Sequence, residues 1–145
     1  MQMTIRKWAD SDIRAAEKIE RACFSAPWDL ETLSAAFDRK DTIGLVLETD
    51  GECVGYALGT VVYEDGEVLR IAVLGSRRGE GLGGKLFDAL LAEMQARGAE
   101  NAFLEVRTTN APAIGLYEKR GFYTLRERKR YYADGADALE MKKEL

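Results

Sequence analysis

The chain has 145 residues, 46% hydrophobic and 32% charged, with a net charge of −4 and no histidine. That length suits one buried core, and the acidic balance argues against a general attraction to nucleic acid. Without histidine, Ser-His triads and the commonest zinc ligand are excluded, so proton transfer falls to carboxylates, tyrosine or lysine.

Thr4 to Trp8 reads as a first strand. Asp10, Ser11 and Asp12 offer N-cap oxygens, and Ile13, Ala16, Ile19 and Cys23 follow at helical spacing, predicting a helix over Asp12–Phe24. Pro27 cannot extend it, and Asp29 caps a second helix over Leu30–Arg39 with Leu33 and Phe37 inward. A meander follows: Ile43–Glu48, the hairpin signal Asp50-Gly51, the long strand Cys53–Tyr63, a turn at Glu64-Asp65-Gly66, and Glu67–Val73. Gly55 and Gly59 inside the long strand suggest bulges or close backbone approach.

Lys85–Arg97 has a helical pattern, with Leu82, Leu86, Leu90 and Met94 on one face and Gly98 as its stop. Ala102–Val106 is the next strand, expected to run parallel to Glu67–Val73. Asn110 caps a short helix with Pro112 in its first turn. Leu125–Tyr132 and Ala138–Lys142 close the chain as a hairpin across Asp134-Gly135. The order is β-α-α-β-β-β-α-β-α-β-β. It predicts a mixed α/β (α+β) fold: a mostly antiparallel sheet of about six or seven strands flanked by about four helices.

There is no apolar run of membrane-spanning length, and Met1–Trp8 is too polar for a signal peptide. The expectation is one cytoplasmic domain, 1–145. Cys23 and Cys53 lie in apolar-patterned segments and read as free buried thiols. Neither has a partner at metal-ligand spacing, so no metal is expected.

One stretch organises the rest: Arg77-Arg78-Gly79-Glu80-Gly81-Leu82-Gly83-Gly84. A strand, a glycine loop and a helix N-terminus in succession hold phosphate, because free N–H groups and the helix dipole point at the anion. Three patterns fit. Gly79-x-Gly81-x-x-Gly84 matches a dinucleotide fingerprint, with Glu105 placed as a ribose-binding acid. Gly79 through Gly84-Lys85 is most of a P-loop, but Leu86 stands where the magnesium-binding hydroxyl belongs. Arg78-x-x-Gly81-x-Gly83 is the pyrophosphate loop of the GCN5-related N-acetyltransferase (GNAT) superfamily. A plain glycine-rich turn is the bland alternative. The antiparallel strands before the loop and the single parallel strand after it suit neither of the first two folds.

The resemblance to GNAT enzymes becomes specific beyond the loop. Leu104-Glu105-Val106-Arg107-Thr108-Thr109-Asn110, then Ala113-Ile114-x-Leu116-Tyr117-Glu118-x-x-Gly121-Phe122, resembles the second signature of the ribosomal-protein-alanine N-acetyltransferase branch (RimI type). Arg130-Tyr131-Tyr132 with Asp134-Gly135 resembles its C-terminal hairpin, and Phe24 with Pro27-Trp28 its N-terminal helix junction. Leu74-Gly75, Arg70 and Thr109 depart from the branch pattern. The resemblance implies an enzyme that carries acetyl from acetyl-CoA directly to a protein N-terminal amine, that of a ribosomal-protein alanine. From charge and the lack of a spanning run, no nucleic-acid or membrane partner is expected, and the chain is expected to be a monomer or weak dimer. The resemblance assigns coenzyme A to Ile71, Ala72 and Val73, to Arg77, Arg78, Gly79, Glu80, Gly81, Leu82, Gly83 and Gly84, and to Asn110 and Tyr117. It assigns the acceptor to Phe24, Trp28, Tyr131 and Tyr132. A GNAT enzyme acting on a small amine or on lysine, or a non-catalytic acyl-CoA-binding module, are the alternatives.

Acetyl transfer to an amine needs a proton acceptor, a stabilised oxyanion, protonation of the departing thiolate and positioning. An α-amine with a pKa of about 8 needs less help than a lysine at roughly 10.4. Glu105, near the end of its strand, is the natural base; a solvated or ion-paired glutamate is the alternative. Tyr117 is a phenol that can protonate a thiolate, which is the role the resemblance gives it; a packing tyrosine is the alternative. The Val73 backbone is the expected oxyanion donor. The basic run Arg126, Arg128, Lys129 and Arg130 beside Tyr131-Tyr132 reads as a base-stacking patch or, more simply, a charged edge strand.

Overall fold

Seven strands and four α-helices form among the described residues of the computed structural model, 2–75 and 81–145. The strands are β1 (Met3–Lys7), β2 (Thr42–Thr49), β3 (Glu52–Val62), β4 (Asp65–Val73), β5 (Asn101–Arg107), β6 (Tyr123–Arg128) and β7 (Ala138–Glu144). The helices are α1 (Ile13–Cys23), α2 (Leu30–Asp38), α3 (Leu82–Ala96) and α4 (Ala111–Lys119). The strands make one sheet in the order β1-β2-β3-β4-β5-β7-β6, antiparallel throughout except where β4 meets β5. This is the mixed α/β architecture expected from the element order. No helix among the described residues is long and apolar enough to cross a membrane.

Each face of the sheet has its own core. Leu82, Leu86, Leu90 and Met94 of α3 pack with Phe87 and Tyr117 against Ala102, Leu104 and Val106 of β5. On the other face, Ala16 and Ile19 of α1 and Leu33 and Phe37 of α2 pack against Val46, Tyr56, Leu58 and Ala72. The period of two along β5 puts Phe103, Glu105 and Arg107 on this second face. There α1 and α2 cover β2, β3 and β4.

The pairing that positions the site is the one that stops early. β4 and β5 are joined only at Asp65–Asn101, Gly66–Ala102 and Glu67–Phe103. Beyond Glu67 no ladder links them, although both strands continue, to Val73 and Arg107. A bulge lies at that point. Leu58 pairs with Arg70 and Gly59 with Val68, leaving Leu69 as an extra residue in β4. An extra residue bends its strand and raises the local twist. Opposite the bulge, a side chain at Gly59 would lie 2.6 Å from Met94 Cε and 3.0 Å from the Glu67 carbonyl, so the expected close approach is present.

Three predicted boundaries need correction. α3 begins at Leu82 rather than Lys85, because Gly81, at φ 74°, turns directly into the helix. The β3–β4 turn is Tyr63-Glu64, since Val62 pairs with Asp65; β4 therefore starts before Gly66. The strand predicted over Leu125–Tyr132 runs from Tyr123 to Arg128. Arg130 has φ 52°, and the Arg130 N–H donates to Asp137 Oδ1 at 2.9 Å, so Tyr131 and Tyr132 sit in a braced loop outside the ladder.

Candidate active site

The N-terminus of α3 lies at the end of β4. Gly81 contributes no capping side chain, and its carbonyl accepts from the Lys85 N–H at 3.2 Å. The amides of Leu82, Gly83 and Gly84 form the first turn, where backbone N–H groups lack intrahelical acceptors and the dipole is positive. Among the described residues, a Cβ at Gly83 would meet only Val73 Cγ2, at 3.9 Å. Gly84 differs, because the Arg120 guanidinium occupies its Cβ position and is itself paired with Asp88 at 2.7 Å. Ile71, Ala72 and Val73 lie past the last β4–β5 pair. Arg77, Arg78, Gly79 and Glu80 lie outside the described residues. Asn110 caps α4, its Oδ1 accepting from the Ala113 N–H at 3.2 Å.

Glu105 and Tyr117 approach from opposite faces of the sheet. Half-buried Glu105 lines a groove of about 420 Å³ with Glu67, Phe103, Arg128, Tyr131 and Glu140. Burial, then the nearby Glu67 and Glu140 carboxylates, raise its pKa above the usual glutamate range, while Arg128 and Arg126 oppose the rise. Tyr117 is only 8% exposed and packs at 5.0 Å on Phe87. Burial, with a smaller contribution from Tyr132, pushes its phenol up to about 12. It therefore stays protonated, and can donate, across the neutral range. The β4–β5 ladder, which stops at Glu67–Phe103, leaves an opening between the two faces. Burial raises the Tyr132 pKa, Arg107 opposes the rise, and Glu105 adds a smaller contribution to it.

Two aromatic groups flank the opening on the Glu105 face. Tyr131 and Tyr132 meet edge to face at 5.1 Å, with Arg107 over Tyr132 at 4.3 Å. Phe24 and Trp28, from the α1–α2 junction, hold the Arg70 guanidinium between them at 3.9 and 4.5 Å. Arg70 also binds Glu20, whose Oε1 accepts the Trp28 N–H at 2.9 Å and whose Oε2 accepts the Tyr56 hydroxyl. Three of the four basic residues are paired: Arg126 and Arg128 of β6 bind Glu140, and Lys129 just beyond it binds Glu127. That is the arrangement of a charged edge strand. Both cysteines are free, and burial raises the Cys53 thiol to about 11, which leaves it unreactive.

Residues 13–122 match the acetyltransferase (GNAT) family. The chain belongs to that family. It is an N-acetyltransferase, and acetyl-CoA is its acetyl donor. It is 34% identical to a Bacillus subtilis protein described as a putative ribosomal protein bS18-alanine N-acetyltransferase, over 94% of this chain and 92% of that one. The crystal structure of the Escherichia coli ribosomal-protein-S18-alanine N-acetyltransferase superposes with a TM-score of 0.92 at 32% identity, covering 99% of this chain and 94% of that one. The Thermoplasma volcanium Ard1 structure also gives 0.92, at 26% identity, covering 100% and 99%.

The acetyltransferase also holds a buried polar cluster of which sequence reasoning singled out only Arg70. Glu20 sits in the α1 pattern as one more polar residue, yet it is fully buried. Tyr56 reads as a strand residue, and Arg70 as a departure from a family pattern. Their partnership spans up to 50 positions and leaves no local periodicity. One signal was available: Glu20 directly follows buried Ile19 and precedes the Phe24–Trp28 junction, so it falls beside the apolar stripe of its helix.

Proposed function

We propose that residues 1–145 form one cytoplasmic N-acetyltransferase domain whose acceptor is the α-amine of a protein N-terminus, an alanine of a small-subunit ribosomal protein. The observation that carries the reading is the opening between β4 and β5, with a raised-pKa carboxylate on one face and a protonated phenol on the other. The names of the Bacillus subtilis and Escherichia coli relatives support the ribosomal alanine acceptor.

Acetyl-CoA supplies an acetyl thioester. The first-turn amides of Leu82, Gly83 and Gly84 would hold its pyrophosphate. The freed backbone of Ile71–Val73 orients the acyl arm and offers N–H groups to the carbonyl oxygen. Glu105 takes a proton from the acceptor ammonium, directly or through water. Its raised pKa makes it a stronger base than an exposed glutamate. Tyr117 gives its proton at the sulfur position. Phe24 and Trp28 form one wall of the acceptor groove and Tyr131 and Tyr132 the other, so an extended N-terminus runs between them.

Acetyl transfer from acetyl-CoA to short peptides tests this. Peptides beginning with alanine are acetylated faster than N-terminally blocked copies carrying a free internal lysine. Trp28→Ala and Tyr132→Ala raise the peptide KM severalfold and leave coenzyme A affinity unchanged. A blocked lysine peptide or a polyamine that proves the better acceptor refutes the N-terminal reading.

A further inference from the structure

The Arg70 guanidinium sits against Phe24 and Trp28, the pair proposed above as one wall of the acceptor groove. It lies on β4 just beyond the bulge, past the last β4–β5 pair. Its Cζ is 3.9 Å from the centroid of Phe24 and 4.5 Å from that of Trp28, so the guanidinium fills the slot between the two rings. It is held there from behind. Nε donates to Glu20 Oε1 at 3.1 Å, and Nη2 donates to the same oxygen. Glu20 has no exposed surface and also binds the Trp28 N–H and the Tyr56 hydroxyl. One carboxylate thus fixes the guanidinium, the aromatic wall and the strand together. The bond to Glu20 of α1 puts the Arg70 side chain on the α1 face of the sheet, the face that Glu105 shares.

We propose that Arg70 is a specificity-determining residue. Its guanidinium plugs the Phe24–Trp28 slot and restricts the acceptor to a small first side chain, and Glu20 is the positioning residue that holds the plug. This deepens the N-terminal acceptor reading and rests on it. The mechanism is steric. A planar cation held on two aromatic faces and bonded to a buried carboxylate does not swing aside for an incoming leucine or methionine. With the plug removed, two aromatic rings face an empty apolar slot, which suits such side chains.

The test is acetyl transfer to peptides identical except for a first residue of Ala, Ser, Met or Leu. Arg70→Ala alone strands a buried carboxylate and risks unfolding. The comparison therefore uses two double variants that neutralise both partners. E20Q/R70A empties the slot, while E20Q/R70M refills it with an uncharged chain of similar length. In both variants the glutamine amide introduced by E20Q keeps an oxygen for the Trp28 N–H. Relative to wild type, the Ala-over-Leu ratio of kcat/KM falls about tenfold or more in E20Q/R70A, through a lower KM for the Leu peptide, and is largely retained in E20Q/R70M. The expected size is that of a few methylenes admitted to an apolar pocket. An unchanged ratio in E20Q/R70A, or an equal change in both variants, overturns the proposal. So does a uniform loss over all four peptides, which marks a purely structural role. If the wild-type enzyme acetylates none of these peptides but does acetylate a lysine or polyamine, the acceptor reading itself fails and takes this inference with it.

Discussion

The two faces of the sheet are held by different physics. Under α3 the contacts are Leu82, Leu86, Leu90 and Met94 on Ala102, Leu104 and Val106, apolar throughout. Under α1 the apolar contacts of Ala16 and Ile19 are joined by a buried carboxylate, a tyrosine hydroxyl and a guanidinium. Burial of apolar area is non-directional and tolerates repacking, whereas a buried ion pair requires every partner in place. The face carrying the helix N-terminus therefore behaves as a stable platform. The face carrying the acceptor walls holds a fixed geometry. The reaction proposed here takes place where the bulge at Leu69 lets the two faces communicate.

The largest expected effects come from the groups that meet across that opening. Glu105→Gln lowers kcat/KM by about 10²–10⁴-fold. The loss is greatest below about pH 8, where an α-amine is mostly protonated. Because the Glu105 pKa is raised, its ionised form is lost at a higher pH than that of a free glutamate, and the acid limb of the wild-type profile lies correspondingly high. The same shift means that ionised Glu105 destabilises the folded state at neutral pH, a cost that fades as pH falls through the raised value. Glu105→Gln therefore raises Tm modestly and moves the acid limb up to the titration of the acceptor amine itself, at about pH 8. Tyr117→Phe lowers turnover with little change in peptide KM. Rates near wild type for both variants across about pH 6 to 9 remove both assignments.

Next in size is a test of the platform. Leu90→Ala removes a fully buried side chain and costs about 2–5 kcal/mol in urea unfolding. The folded fraction keeps its acceptor preference. Glu20→Ala costs a comparable amount, about 3–5 kcal/mol, but also changes acceptor preference, because it releases the Phe24–Trp28 wall. Equal effects on preference from both variants erase the distinction between the faces.

A smaller effect is confined to the α3 N-terminus. Gly83→Val weakens coenzyme A binding about tenfold in calorimetry, or about 1.4 kcal/mol. Its circular dichroism is normal, because among the described residues a Cβ there meets only Val73 Cγ2, at 3.9 Å. Unchanged affinity removes the loop assignment, and so does tighter binding of NAD or ATP than of coenzyme A. The smallest effect is at Asn110. Its cap to the Ala113 N–H makes Asn110→Ala cost about 1 kcal/mol. If coenzyme A affinity falls in that variant beyond what the lost stability explains, Asn110 contacts the cofactor as well as capping the helix.

The local features of this protein were legible in its sequence because they rest on short-range periodicity and turn chemistry. The α3 stripe, the Asp29 and Asn110 caps and the Asp50-Gly51 hairpin, where Thr49 pairs with Glu52, are all of this kind. The proposed proton carriers, a glutamate on a strand and a tyrosine on the next helix, came from the lack of histidine together with the family resemblance. Tertiary structure decided what those groups face. The splay of β4 from β5 depends on where a ladder stops, and the pairing of Leu58 with Arg70 that creates the bulge is set by packing across the sheet. The opposite approaches of Glu105 and Tyr117 follow from which face each element covers. Glu20, Tyr56 and Arg70 come together only when one helix and two strands are packed. A buried charge is stable only with all its partners, and those partners lie too far apart in the chain for any local pattern to announce them.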